Sequence, residues 1–230
     1  MFFDYSGTLF RLQQDESWLN DFTDGGGEPF DLESRTEVLR RLTAPVDGGI
    51  ELAPEFQQAW DRRDLDPEQH RKSNLEVLRL SGVTDRAQAE ALYARLVDPL
   101  CWTPYPDTAE VLQRLRDQGV RIAVISNIAF DIRPAFQRLG VHELVDEYLL
   151  SYLEGVIKPD AEIFRRACAR VGVEPGEALM IGDSAEADGA AAELGCAVEL
   201  VEPVPTDQRP DALLKAVTAR GLLPGAAERG

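Results

Sequence analysis

The chain has 230 residues, 44% hydrophobic and 28% charged, a composition that sustains a globular core and excludes a wholly disordered chain. With 24 basic residues against 41 acidic ones, net charge −17 and no basic run, its surface repels phosphate backbones and anionic headgroups, so neither nucleic acid nor membrane is an expected partner. Apolar runs such as Ile122–Ile125 fall far short of the roughly 20 residues that span a bilayer, and Met1 leads into Phe2-Phe3-Asp4 without a basic n-region or cleavage site.

In chain order, Phe2-Phe3 ahead of Asp4 reads as the end of a buried strand. Helical segments are then expected at Ser34–Leu42, Pro54–Arg63, Pro67–Leu80 and Asp85–Val97, separated by the Gly25-Gly26-Gly27 loop and a turn at Val46–Gly49. Trp18, Phe22, Phe56 and Trp60 are expected to pack within this helical region. From about Pro106 the pattern changes to alternating strands and helices. Asp107-Thr-Ala-Glu110 has the spacing of a capping box, Val111, Leu112 and Leu115 line one helical face, and Gly119 ends it. Val120–Ile125 is a β-branched run suited to a strand buried on both faces. A helix over Pro134–Leu139, a strand over Glu147–Leu150 and a helix from Pro159-Asp160 follow. Then come a strand over Glu177–Ile181, an Ala-rich helix over Ala185–Leu194, and a strand over Ala197–Val201. This order predicts a doubly wound parallel α/β sheet with a helical module inserted after its first strand.

Cys101, Cys168 and Cys196 form no CxxC and no zinc spacing, which suits free thiols in a reducing cytoplasm. His70 and His142 stand alone in the sequence and receive no role.

In a parallel sheet, ligands bind beyond the carboxyl ends of the strands. Four such positions carry polar residues here: Asp4, Ser126-Asn127, Lys158 and Asp183. A carboxylate nucleophile, a hydroxyl or amide donor, a fixed cation and a second carboxylate suit a phosphoryl group and a hard cation such as Mg²⁺.

Asp4-Tyr-Ser-Gly-Thr-Leu9, the apolar strand ending in Ser126-Asn127, Lys158-Pro-Asp160 and Gly182-Asp-Ser-Ala-Glu-Ala-Asp188 stand in the order of the four motifs of the haloacid dehalogenase superfamily, which the chain resembles over nearly its whole length. The resemblance implies a Rossmann-like core of residues 1–12 and 100–221, a helical cap of the C1 type over 13–99, and a flexible tail over 222–230. It implies that Asp4 attacks phosphorus to form an aspartyl-phosphate, with Ser126 and Lys158 serving the phosphoryl group. Gly7, Thr8 and Asn127 would complete the phosphate loop. Mg²⁺ would be held by Asp4, the Ser6 backbone carbonyl, Asp183 and Asp188. The implied partner is a small phosphorylated metabolite, and the implied assembly a monomer or homodimer.

One position departs from the pattern. Most phosphatases of the superfamily carry a second Asp two residues after the nucleophile, where this chain has Ser6. A serine hydroxyl cannot exchange a proton near pH 7 as that carboxyl does, a role worth about 10²–10⁴-fold in rate. Asp15 or Glu16, just after the first strand, would replace it only if a cap loop leaned over the site; as first-turn residues of a helix they would do no such work. Lys72 is the only lysine in the cap and would be required by a Schiff-base mechanism. Three readings follow: a Mg²⁺-dependent phosphatase or phosphotransferase, a carbon–halogen hydrolase working through an Asp4 ester, and a phosphate-binding or regulatory protein with weak turnover.

Overall fold

A computed structural model describes residues 1–43 and 51–223; the expected Val46–Gly49 turn and most of the expected tail lie outside them. In chain order the strands are β1 (Phe2–Phe3), β2 (Phe10–Arg11), β3 (Thr103–Pro104), β4 (Ala123–Ser126), β5 (Glu147–Leu150), β6 (Leu179–Gly182) and β7 (Ala197–Leu200). The helices are α1 (Leu32–Thr43), α2 (Pro54–Asp61), α3 (Pro67–Leu80), α4 (Arg86–Val97), α5 (Thr108–Asp117), α6 (Arg133–Leu139), α7 (Ser151–Glu154), α8 (Ala161–Val171) and α9 (Ala212–Ala219).

Five strands form an all-parallel sheet in the order β5-β4-β1-β6-β7. Because successive side chains alternate across a strand, the sheet feeds two cores. Phe2, Ala123, Ile125, Leu149 and Met180 pack with Ile163, Phe164 and Ala167 of α8. Phe3, Val124 and Ile181 face the opposite way, into the core built from α5, α6 and α9. This is the doubly wound α/β fold that the sequence pattern predicts. Strand β1 sits centrally, with β4 on one side and β6 on the other, so the order reverses beside it and a crevice opens at its carboxyl end.

Helices α1–α4 all fall between β2 and β3, which pair antiparallel with Phe10 opposite Pro104 and Arg11 opposite Thr103. The chain thus leaves and rejoins the α/β core through one two-stranded stem. The four expected helices form, each within two residues of its predicted limits. Asp66 caps α3 by accepting from Glu68 N–H, with Pro67 at its first position, and Asp85 caps α4 by accepting from Gln88 N–H.

Three local expectations are corrected. Asp107 precedes α5 but makes no side-chain cap; its Oδ2 instead accepts from Leu214 N–H at 3.0 Å, tying α5 to α9. Strand β4 begins at Ala123 rather than Val120, because the Asp146 carboxylate takes the Ile122 N–H at 2.8 Å in place of a strand neighbour. Residues 185–194 form no α-helix: a turn leads into a 3-10 segment at Gly189–Leu194. Asp188, which would sit on the first turn, points inward instead and is fully buried. Cys168 and Cys196 are buried and Cys101 half-buried, all as free thiols. Among the described residues, no helix is long and apolar enough to cross a membrane.

Candidate active site

At the carboxyl ends of β1 and β6, the sheet delivers three acidic side chains to one place. Asp4 follows β1 directly and its N–H donates to Ile181 O at 2.9 Å, which fixes the residue against β6. Oxygens of Asp4, Asp183 and Asp188 all lie within 4.8 Å of one another. Two glycines permit this approach. A Cβ on Gly182 would stand 2.1 Å from Asp188 Cγ, and one on Gly7 (φ +76°) would stand 2.3 Å from Asp183 Oδ2.

Lys158 reaches into the cluster from the loop before α8. Its Nζ donates to Asp4 Oδ1 and to Asp188 Oδ1, each at 2.6 Å, with all three side chains buried. The two carboxylates hold the ammonium well above its ordinary pKa against the opposing effect of burial. Burial pushes the Asp4 carboxyl upward; Lys158 pulls it down, and Asp188 and Asp183 push it up again. Burial and Asp188 raise Asp183 in the same way. One ammonium among three carboxylates leaves excess negative charge, and the donors are all hard oxygens. That set fits a divalent cation of the Mg²⁺ kind, with Asp4, Asp183 and Asp188 as the side chains that would hold it.

The remaining predicted residues divide into those that face the cavity and those that build its frame. Ser6 is exposed and lines the cavity. Ser126 is buried at the end of β4, and its Oγ has no protein partner. Gly7 and Thr8 are buried and do not line the cavity. Asn127 lines the cavity, but its amide is engaged with Lys158: Nδ2 donates to Lys158 O at 2.8 Å and Oδ1 accepts from Lys158 N–H at 2.7 Å. These two bonds orient Lys158 from the cavity wall.

No sequence motif surrounds Arg209. Buried and stacked 3.2 Å above the Tyr105 ring, it donates to Gly7 O at 2.7 Å, to Glu202 O at 3.0 Å and to Thr8 O. These bonds hold the loop that carries Ser6 and follows Asp4.

The cavity holds about 480 Å³, and its far wall comes from the helical insertion. Trp60, Arg63, Asp64, His70 and Asn74 line it. Trp60 thus faces the cavity, with the Arg63 guanidinium 4.2 Å from its ring centroid, instead of packing wholly inside the helices. His70 Nδ1 lies 3.0 Å from Tyr93 Oη, and burial lowers its pKa to about 4, so the ring is neutral at pH 7. Lys72 is exposed beside Phe56 and is not part of the wall. Asp15 caps the 3-10 turn Glu16–Leu19, accepting from Ser17 N–H at 2.9 Å, and hydrogen bonding from the Ser17 side chain and then its backbone lowers the Asp15 pKa. Neither Asp15 nor Glu16 reaches the cavity.

Comparison with known proteins agrees with this geometry. The chain is 40% identical over 86 residues to the glyceraldehyde 3-phosphate phosphatase of Methanopyrus kandleri, 37% of each chain. It is 36% identical over 117 residues to the ribulose-1,5-bisphosphate 5-phosphatase of Halopiger xanaduensis, 50% of this chain and 49% of that one. The matched segments span about half or less of these curated relatives. A solved dehalogenase structure shares the fold, with a TM-score of 0.65 at 20% identity over 95% of both chains. A model of the haloacid dehalogenase-like hydrolases matches residues 1–195, and the chain belongs to that family.

Proposed function

We propose that this hydrolase is a Mg²⁺-dependent phosphatase of small phosphorylated metabolites, acting through an aspartyl-phosphate on Asp4. The observation that carries the reading is Lys158 held between buried Asp4 and Asp188 beside Asp183, at the floor of an open cavity. A bound Mg²⁺ would offset the charge on the transferring phosphoryl group. The chain supplies the rest. Asp4 Oδ attacks phosphorus in line with the leaving oxygen, and Lys158 balances charge on the nucleophile and the phosphoryl oxygens. The unpartnered Ser126 hydroxyl is the donor for one of those oxygens. Asn127 and Arg209 hold Lys158 and the nucleophile loop in place, so the geometry is set before substrate arrives. A cavity of about 480 Å³ suits a metabolite-sized substrate. The names of the two phosphatase relatives support a phosphorylated sugar or triose class.

Ser6 favours a second reading, carbon–halogen cleavage, because a halide departs without a proton. The acidic cluster favours the first, because displacement of halide by Asp4 has no use for three converging carboxylates. Hydrolysis of p-nitrophenyl phosphate, with Mg²⁺ and with EDTA, separates the two. The wild type turns over only with metal, and Asp4→Asn lowers the rate by more than about 10⁴-fold. Metal-independent halide release from a 2-haloacid, with no phosphatase activity, would replace this reading by the second.

A further inference from the structure

An alkyl phosphate presents a difficulty that the floor of the cavity does not solve: its leaving alkoxide must be protonated, and the later water must be deprotonated. Ser6 cannot do either. The titratable groups of the floor are committed elsewhere, Asp4 to attack and Asp183, Asp188 and Lys158 to one ionic cluster. Among the described residues, the wall and rim offer Asp61, Asp64, His70 and Glu186. Asp61 is exposed and held by Gln57 Nε2 at 2.8 Å, and Glu186 is exposed on the core side. His70 is neutral at pH 7, with a ring nitrogen on Tyr93, and a neutral imidazole is too weak an acid to protonate the leaving oxygen.

Asp64 is placed differently. It lies in the connection between α2 and α3 and lines the cavity together with Asp4, Ser6 and Lys158. Its backbone is fastened to the core, because the Ser151 hydroxyl at the start of α7 donates to Asp64 O. Ser151 is itself seated on Ile128, whose N–H it accepts at 2.9 Å. Asp64 therefore lines the cavity from a fixed point of the backbone, and not from a free helix end. Its charged neighbours are Arg63, 3.6 Å away, and Lys158. Burial outweighs both and raises the carboxyl above the ordinary Asp range.

We propose that Asp64 is the general acid and general base of this phosphatase, doing from the helical insertion the work that a carboxyl at position 6 would do. The inference rests on the phosphatase reading above. In the first step the bond from Asp4 Oδ to phosphorus forms, the bond from phosphorus to the leaving oxygen breaks, and the Asp64 proton passes to that oxygen to give an alcohol. In the second step water attacks phosphorus, the bond from Asp4 to phosphorus breaks, and a proton of the water returns to the Asp64 carboxylate. Protons and charge balance over the cycle.

The test compares p-nitrophenyl phosphate, whose leaving group departs without a proton, with ethyl phosphate, whose leaving group does not. In Asp64→Asn a burst of nitrophenolate survives, the steady rate after it falls by about 10²–10⁴-fold, and ethyl phosphate turnover falls at least as far without a burst. Adding Ser6→Asp to that variant restores ethyl phosphate turnover. The inference is overturned if Asp64→Asn hydrolyses ethyl phosphate as the wild type does. It is equally overturned if burst and steady rate fall together without rescue, or if Ser6→Asp alone accelerates ethyl phosphate by about 10²-fold or more. A wild type inert toward both esters removes the phosphatase reading and this inference with it, a failure visible before any variant is made.

Discussion

The floor of the cavity and its helical wall hold their polar residues in different ways. On the floor, buried groups are bonded to one another: Lys158 to Asp4 and Asp188, Asn127 to the Lys158 backbone, and Asp188 Oδ2 to the Ser184 N–H at 3.0 Å. On the wall, Arg63 leans on Trp60, His70 on Tyr93, and the segment meets the core where Ser151 grips the Asp64 carbonyl. The floor is a preorganised electrostatic device whose parts cannot be moved singly. The wall is a set of separable side chains on α2, α3 and their connection. The groups of the floor come from the sheet edge, and the side chains of the wall from the insertion.

This contrast can be broken most forcefully at Lys158. Lys158→Met fills the same space but leaves buried Asp4 and Asp188 without their counter-ion, and destabilisation of roughly 3–5 kcal/mol is expected. Urea unfolding at unchanged slope would read it as a lower midpoint, and millimolar Mg²⁺ should recover part of the loss. A midpoint unchanged from wild type would mean that the ionic cluster does not hold the floor together.

On the wall, His70 gives a smaller effect confined to acid. Folded, it takes a proton only near pH 4; unfolded, it does so below about 6.5. The unfolded chain therefore binds the extra proton between those values, and stability falls as pH drops through that window while remaining unaffected above it. The contribution amounts to about 3 kcal/mol. His70→Gln should flatten the corresponding part of the urea midpoint against pH, and an unaltered profile would show that His70 titrates normally.

Asn127→Ala tests orientation rather than charge. It removes two hydrogen bonds to the Lys158 backbone, worth about 2 kcal/mol together. Turnover should fall through kcat with KM nearly unchanged, because Lys158 loses its aim and the cavity keeps its shape. A rise in KM alone would return Asn127 to the role of a direct substrate ligand.

The same contrast explains what the sequence discloses. Asp4, Lys158, Asp183 and Asp188 are legible because each sits at a strand end or a short step beyond one, and a parallel sheet has only one edge at which such residues meet. Their burial was harder to read. Asp188 resembles an exposed helical carboxylate until the 3-10 segment turns it inward. Asn127 was legible as a polar strand-end residue, but its partner is a backbone 31 residues away. Arg209 acts on a loop 202 residues earlier, and Asp64 is placed by Ser151, 87 residues later. No periodicity or spacing encodes such contacts, which depend on how the insertion and the last strand connections pack. Trp60 and His70 line the cavity for a like reason: a helix pattern separates a buried face from an exposed one, but not a face against its own bundle from one against a cavity.

The most direct test of the account is acid quenching of the enzyme during turnover of p-nitrophenyl phosphate with Mg²⁺, followed by mass analysis of the peptide containing Asp4. A phosphoryl group on Asp4, abolished in Asp4→Asn, is the result expected of an aspartyl-phosphate mechanism. An unmodified Asp4 under turnover, or an ester formed there only from a 2-haloacid, would contradict it.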